Sequence, residues 1–149
     1  MNAQPAVRTG KGDPTPQRIL RSDIEALAAH ARALSSTSQR RILGITGAPG
    51  SGKSTLAEEI VGTLGPDAVL VPMDGFHLAE AELKRLGIHE RKGAIDTFDA
   101  GGFVALLCRL RDEGDLPVYA PTFRRDLEEA IAGSIRVERD VRLVVTEGN

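Results

Sequence analysis

Residues 47–54 read Gly47-Ala48-Pro49-Gly50-Ser51-Gly52-Lys53-Ser54, and this stretch decides the fold. It has the form G-x-x-x-x-G-K-[ST], a glycine-rich turn whose successive backbone N–H groups point inward at phosphate oxygens. In such a loop Lys53 reaches the β- and γ-phosphates of a nucleotide, and the Ser54 hydroxyl holds Mg²⁺. The flanks agree. The apolar run Ile42-Leu43-Gly44-Ile45 precedes the loop as a buried strand does, and Thr55-Leu56-Ala57-Glu58-Glu59-Ile60-Val61 follows with helical spacing. A helix that starts there turns the positive end of its dipole toward the phosphates. The expected phosphate-binding set is therefore Gly47, Ala48, Pro49, Gly50, Ser51, Gly52, Lys53, Ser54 and Thr55.

Outward from the loop, strand and helix patterns alternate. Residues 1–16 are polar with three prolines and read as a flexible tail. Apolar positions from Ile19 to Leu34 space out as an amphipathic helix over 18–34. Strands are expected at 41–46, 68–74 and 142–147, and helices at 79–86 and 100–112, with a charged loop over 87–97 between the two helices. Short extended segments at 116–123 and 135–137 flank 126–132. Alternation of this kind implies a three-layer α/β/α domain over 17–149 with a mainly parallel sheet. The chain stops at Asn149, directly after a core strand, where such a domain normally continues to cover that strand. The expectation is a longer protein, an unusually small sheet, or a sheet completed by a partner; a homodimer is compatible with the last.

Composition narrows the function. With 149 residues and a formal net charge of -2, the chain is one ordinary globular domain and not a general binder of nucleic acid or anionic membranes. No apolar run reaches membrane-spanning length, and the N-terminus lacks the apolar stretch of a signal peptide, so a cytoplasmic protein is expected. Cys108, the single cysteine, excludes an internal disulfide and reads as a packed core thiol in Phe103-Val104-Ala105-Leu106-Leu107-Cys108. All the aromatic residues (Phe76, Phe98, Phe103, Tyr119 and Phe123) fall in the middle of the chain, where they suit a pocket for a second ligand.

Acidic residues mark the rest of the site. Asp74 ends a strand at the edge where α/β sheets bind ligands, and a carboxylate there can take the proton of an acceptor hydroxyl. Glu147 ends the last strand in the same layer and suits a metal-bound water. Asp99 precedes an apolar helical pattern and reads as its N-cap, which leaves Asp96 for a substrate hydroxyl. Tyr119, Arg124 and Arg125 lie on a segment that suits a pocket wall and an anionic group. A guanine-nucleotide switch is disfavoured: Asp99-Ala100-Gly101-Gly102 fits D-x-x-G, but no Asn-Lys-x-Asp exists to read guanine.

Taken in order, GITGAPGSGKST, VPMDGFH, RKGAIDTFD, PVYAPTFRR and VVTEGN resemble the uridine kinase and phosphoribulokinase-like group of P-loop small-molecule kinases, over about residues 19–149. Bacterial pantothenate kinases and proteins described as nucleoside or fructose-transport-associated kinases belong to the same group. The resemblance implies ATP with Mg²⁺ as phosphoryl donor and a hydroxyl on a nucleoside, sugar or pantothenate-like metabolite as acceptor. It implies that Asp74 is the base and that Asp96 and Tyr119 contact the acceptor, beside the Lys53 and Arg124 that the residues themselves suggest for the transferred phosphate and the substrate. It implies also that Ser54 and Glu147 attend the metal. The chain departs from uridine kinases at Gly75, where they carry Ser, at Ile95, where they carry Pro, and at Ala120-Pro121-Thr122, where their base-reading His and Asp are unmatched. The group continues past its Glu-Gly motif into further strands and an arginine-rich lid helix. A nucleotide-binding module without turnover is the alternative reading.

Overall fold

The structure is a computed structural model and describes residues 24–112, 114 and 116–148. The tail expected at 1–16, the start of the helix expected at 18–34, and Asn149 lie outside the described residues. In chain order the regular elements are α1 (Ile24–Ser35), β1 (Arg41–Thr46), α2 (Lys53–Leu64), β2 (Ala68–Leu70), α3 (Glu80–Leu86), α4 (Ala100–Arg111), β3 (Val118–Arg124), β4 (Glu129–Val137) and β5 (Leu143–Gly148).

β5 lies between β1 and β2 and runs parallel to both. Its apolar residues explain the position: Leu143, Val144 and Val145 are fully buried, as a central parallel strand with both faces covered requires. Alternation along β5 divides the core. Leu143 and Val145 pack with Ala31 of α1 and Ala57 and Ile60 of α2. Val144 packs on the other side with Leu106 and Leu110 of α4, Val118 of β3 and Val137 of β4. The result is the expected three-layer α/β/α arrangement with a parallel sheet.

Three local features differ from the sequence-based expectation. The strand expected over 68–74 ends at Leu70. Val71 N still donates to Val145 O at 2.8 Å, but Pro72 has no N–H to continue the ladder, and Met73–Phe76 closes into a 3-10 turn. The extended segments at 116–123 and 135–137 do not join the parallel sheet. They are parts of an antiparallel hairpin, β3–β4, in which β4 also takes in most of 126–132. Glu128, at a φ of 54°, makes the reversal, and the pairing slips between Ala120 and Thr122, where Pro121 cannot donate. Finally, Cys108 is exposed and not packed. The buried positions of α4, Leu106 and Leu110, lie four apart on one face, and position 108 falls on the opposite side of the helix. Among the described residues no helix is long and apolar enough to cross a membrane.

Two polar devices tie the layers together. Arg40 is buried, and its guanidinium donates to Val141 O at 2.9 Å, Leu110 O at 3.0 Å, Glu138 O at 2.7 Å and Arg139 O at 3.2 Å. One side chain thus joins the entry to β1 with the end of α4 and the β4–β5 connection. On the far side, the Glu80 carboxylate receives Lys92 Nζ and lies 2.6 Å from His89 Nε2. Lys92 also donates to Glu128 O at 2.9 Å and sits 5.0 Å from the Phe123 ring centre, so the start of α3 is pinned to the hairpin tip.

Two outcomes follow from these contacts. Replacing Arg40 by Met removes the donors of several buried carbonyls, and chemical denaturation should show a loss of about 2–4 kcal/mol. The hydrogen bond from Lys92 holds the Glu80 carboxyl below the ordinary glutamate value. A lowered native pKa stabilises above the unfolded pKa, about 4.3, and the contribution disappears as pH falls through the native value. The melting-temperature gap between the wild type and Glu80→Gln should therefore be widest near neutrality and close in acid.

Candidate functional site

The loop after β1 folds as a phosphate cradle because glycine occupies its left-handed positions. Gly50 has a φ of 73° and Gly52 a φ of 85°, and a Cβ on Gly47 would stand 2.9 Å from Ser51 Oγ. Ser51 N donates to Ala48 O at 3.1 Å, closing the turn. α2 begins at Lys53, so the free N–H groups of its first turn face the loop. Lys53 Nζ donates to Ala48 O at 3.0 Å and lies over the loop.

Beside the loop is a cavity of about 230 Å³ bordered by Ser54, Glu58, Asp74, Thr122, Arg125 and Glu147. Each of these comes from a different piece of backbone logic. Ser54 and Glu58 are one turn apart on α2. Glu147 is buried on β5 opposite Ile45 of β1, so the parallel register carries it to the loop end of the sheet. Asp74 sits on the 3-10 turn after β2, and its carbonyl accepts from His77 N at 3.2 Å. Gly75 decides how close that turn approaches the hairpin: a Cβ there would lie 2.5 Å from Pro121 O. A side chain at position 75 would therefore force β3 away from the turn.

The donor set of this cavity is oxygen only, apart from the Arg125 guanidinium. Among the described residues no group of three or more His, Cys, Asp or Glu forms a self-sufficient metal cage. Ser54 with Glu147 or Asp74 fits instead a hard cation that takes its remaining ligands from phosphate and water, as Mg²⁺ does.

The structure brings together Ser54, Asp74 and Glu147 of the residues expected from sequence. It does not bring Asp96, Tyr119 or Arg124 to them. Asp96 is ion-paired with Arg91 at 2.8 Å outside the cavity. Tyr119 alternates with buried Val118 and Ala120 and points to solvent, 51% exposed. Arg124 makes a bidentate pair with Asp126 at 2.8 and 2.6 Å, whose hydrogen bonds raise the guanidinium pKa and lower that of the carboxyl. Its neighbour Arg125 faces the cavity in its place. Glu58 is absent from the sequence-based set; its spacing of four from Ser54 on a helix was the available signal. Asp99 caps α4 as expected, accepting from Gly102 N at 2.8 Å.

No family model matches the chain. A Schizosaccharomyces pombe protein named as a candidate uridine kinase is 35% identical over 137 residues, covering 86% of this chain and 58% of that protein. A solved structure, that of a candidate fructose transport system kinase from Silicibacter sp., superposes with a TM-score of 0.75 at 36% identity, covering 87% of this chain and 64% of that one. In sequence and fold this chain is similar to the uridine kinase-like P-loop kinases. Its likeness extends to a pantothenate kinase of Nocardioides sp., 30% identical over 112 residues, 72% of this chain and 34% of that protein. The chain therefore spans just over half of the S. pombe relative and about a third of the Nocardioides one.

Adding a methyl at position 75 should displace β3 or the Asp74 turn. Gly75→Ala is expected to cost about 1–3 kcal/mol, read from denaturation midpoints, and to shift the amide NMR signals of both Asp74 and Thr122.

Proposed function

We propose that this chain transfers the γ-phosphoryl group of ATP to a hydroxyl of a small metabolite. The observation that carries the reading is the single cavity shared by Ser54, Asp74, Arg125 and Glu147 at the start of α2. The loop amides and Lys53 hold the β- and γ-phosphates, with Lys53 exchanging its bond to Ala48 O for phosphate oxygens. Ser54 and Glu147 hold Mg²⁺, which when bound offsets charge on the phosphates. Asp74 orients the acceptor hydroxyl and takes its proton as the hydroxyl oxygen bonds to the γ-phosphorus. The bond from that phosphorus to the bridging oxygen breaks, and ADP leaves. Arg125 faces the oxygens that gain charge during transfer, a role that an arginine performs well. Positioning and electrostatics supply most of the rate, because the transition state is loose.

Coupled ADP release over nucleosides, sugars, pantothenate and simple alcohols tests this. The expected result is acceptor-dependent turnover that Asp74→Asn lowers ~10²-fold or more while ATP affinity is kept. ATP binding without acceptor-dependent ADP, in the chain and in every panel member, would leave a nucleotide-binding module and reject the kinase reading.

A further inference from the structure

Among the described residues the Asp74 carboxylate has no hydrogen bond or ion pair of its own, so the backbone turn that carries it sets its aim. The main-chain bonds of that turn are long. Gly75 N reaches Pro72 O at 3.4 Å and His77 N reaches Asp74 O at 3.2 Å, beyond the usual separation of about 2.9–3.0 Å, as the poorer geometry of a 3-10 turn gives. The shortest tie comes from a side chain: His77 Nδ1 lies 2.9 Å from the same Asp74 O. A carbonyl oxygen only accepts, so Nδ1 carries the hydrogen and donates.

The donating ring is itself held. It packs against Phe98, with ring centres 4.0 Å apart, and against Phe123, with ring centres 4.9 Å apart. The χ2 torsion of a histidine is broad by itself, and the two phenyl rings narrow it to the rotation that brings Nδ1 to the carbonyl. Both rings come from elsewhere in the chain. Phe98 forms a backbone bridge with His77 and precedes the Asp99 cap of α4. Phe123 lies on β3, with Lys92 Nζ 5.0 Å from its ring centre. Resting on the transfer reading above, we infer that His77 is a positioning residue for Asp74. Its ring hydrogen bond, fixed by Phe98 and Phe123, holds the Asp74 peptide so that the carboxylate stays turned to the acceptor hydroxyl.

The test separates the donor from the ring. His77→Phe keeps a ring between Phe98 and Phe123 and removes the donor. His77→Asn removes the ring and keeps an N–H donor near the Nδ1 position. Both are assayed by ADP release over the panel of nucleosides, sugars, pantothenate and alcohols, with ATP titrations as the control for a folded loop. His77→Phe should lower kcat ~10-fold or more with the KM for ATP unchanged, and His77→Asn should turn over faster than His77→Phe. If the ring served only as packing, the order would be the reverse. In NMR spectra of the nucleotide-free protein, the neutral wild-type ring should carry its hydrogen on Nδ1, and the Asp74 carbonyl signal should shift in His77→Phe. Wild-type kcat in His77→Phe, a slower His77→Asn that still binds ATP, or a bare Nδ1 in the wild type overturns the inference. Should His77→Asn fail to bind ATP, the kcat of His77→Phe and the wild-type ring signal decide. The two readings fail separately. Turnover that His77→Phe leaves intact keeps the kinase and rejects the positioning role. No acceptor-dependent ADP from the wild type rejects transfer, while the ring and carbonyl signals still report whether His77 holds the turn.

Discussion

The parallel pairing of β5 with both β1 and β2 is the constraint on which the rest of the molecule depends. Leu143 sits level with Arg41 on one side and Ala68 on the other, so this one strand sets the heights at which the loop after β1 and the turn after β2 leave the sheet. Glu147, opposite Ile45, rises to the same level. The alternation that buries Leu143 and Val145 against α1 and α2, and Val144 against α4 and the hairpin, locks the register, because a slip of one residue would reverse both faces. The Glu147 carboxylate is buried at that edge; burying it is costly unless a donor or cation meets it there, which is consistent with a site built for a cation and polyphosphate.

The second layer of control is the hairpin. Its β3 strand meets the Asp74 turn through Gly75 and Pro121 with no space to spare, and its tip is held by Lys92 through Glu128 and Phe123. His77 lies between the rings of Phe98 and Phe123, with centroids 4.0 and 4.9 Å away. Ring packing therefore runs from Phe123 of the hairpin through His77 to Phe98, just before α4.

What the sequence made legible follows from how locally each feature is encoded. β1 has the bounds that its apolar run implies, and the loop needs only its own glycines and the helix that follows. The Asp99 cap is likewise local. Asp74 and Glu147 could be placed because strand ends in a parallel sheet share one edge. The remainder depended on which neighbours each side chain meets once the chain has folded. Asp96 and Arg124 carry suitable chemistry, but Arg91 and Asp126 engage them. Tyr119 turns outward because the hairpin register gives the inward positions to Val118 and Ala120. Nothing local marked the hairpin as separate from the parallel sheet, since short apolar runs look alike in either setting. The same ambiguity placed Cys108 in the core: several apolar neighbours surround it in sequence, while helical rotation carries it outward.

That outward rotation has a practical consequence. Cys108 is this chain's one cysteine and stands on the outer face of α4, the helix whose first turn sets Phe103 edge-on against Phe76 of the Asp74 turn. A fluorophore coupled to its thiol would therefore attach at a single place without any engineered residue. It would report, from the exposed face, on a helix whose inner face packs Leu106 and Leu110 into the core.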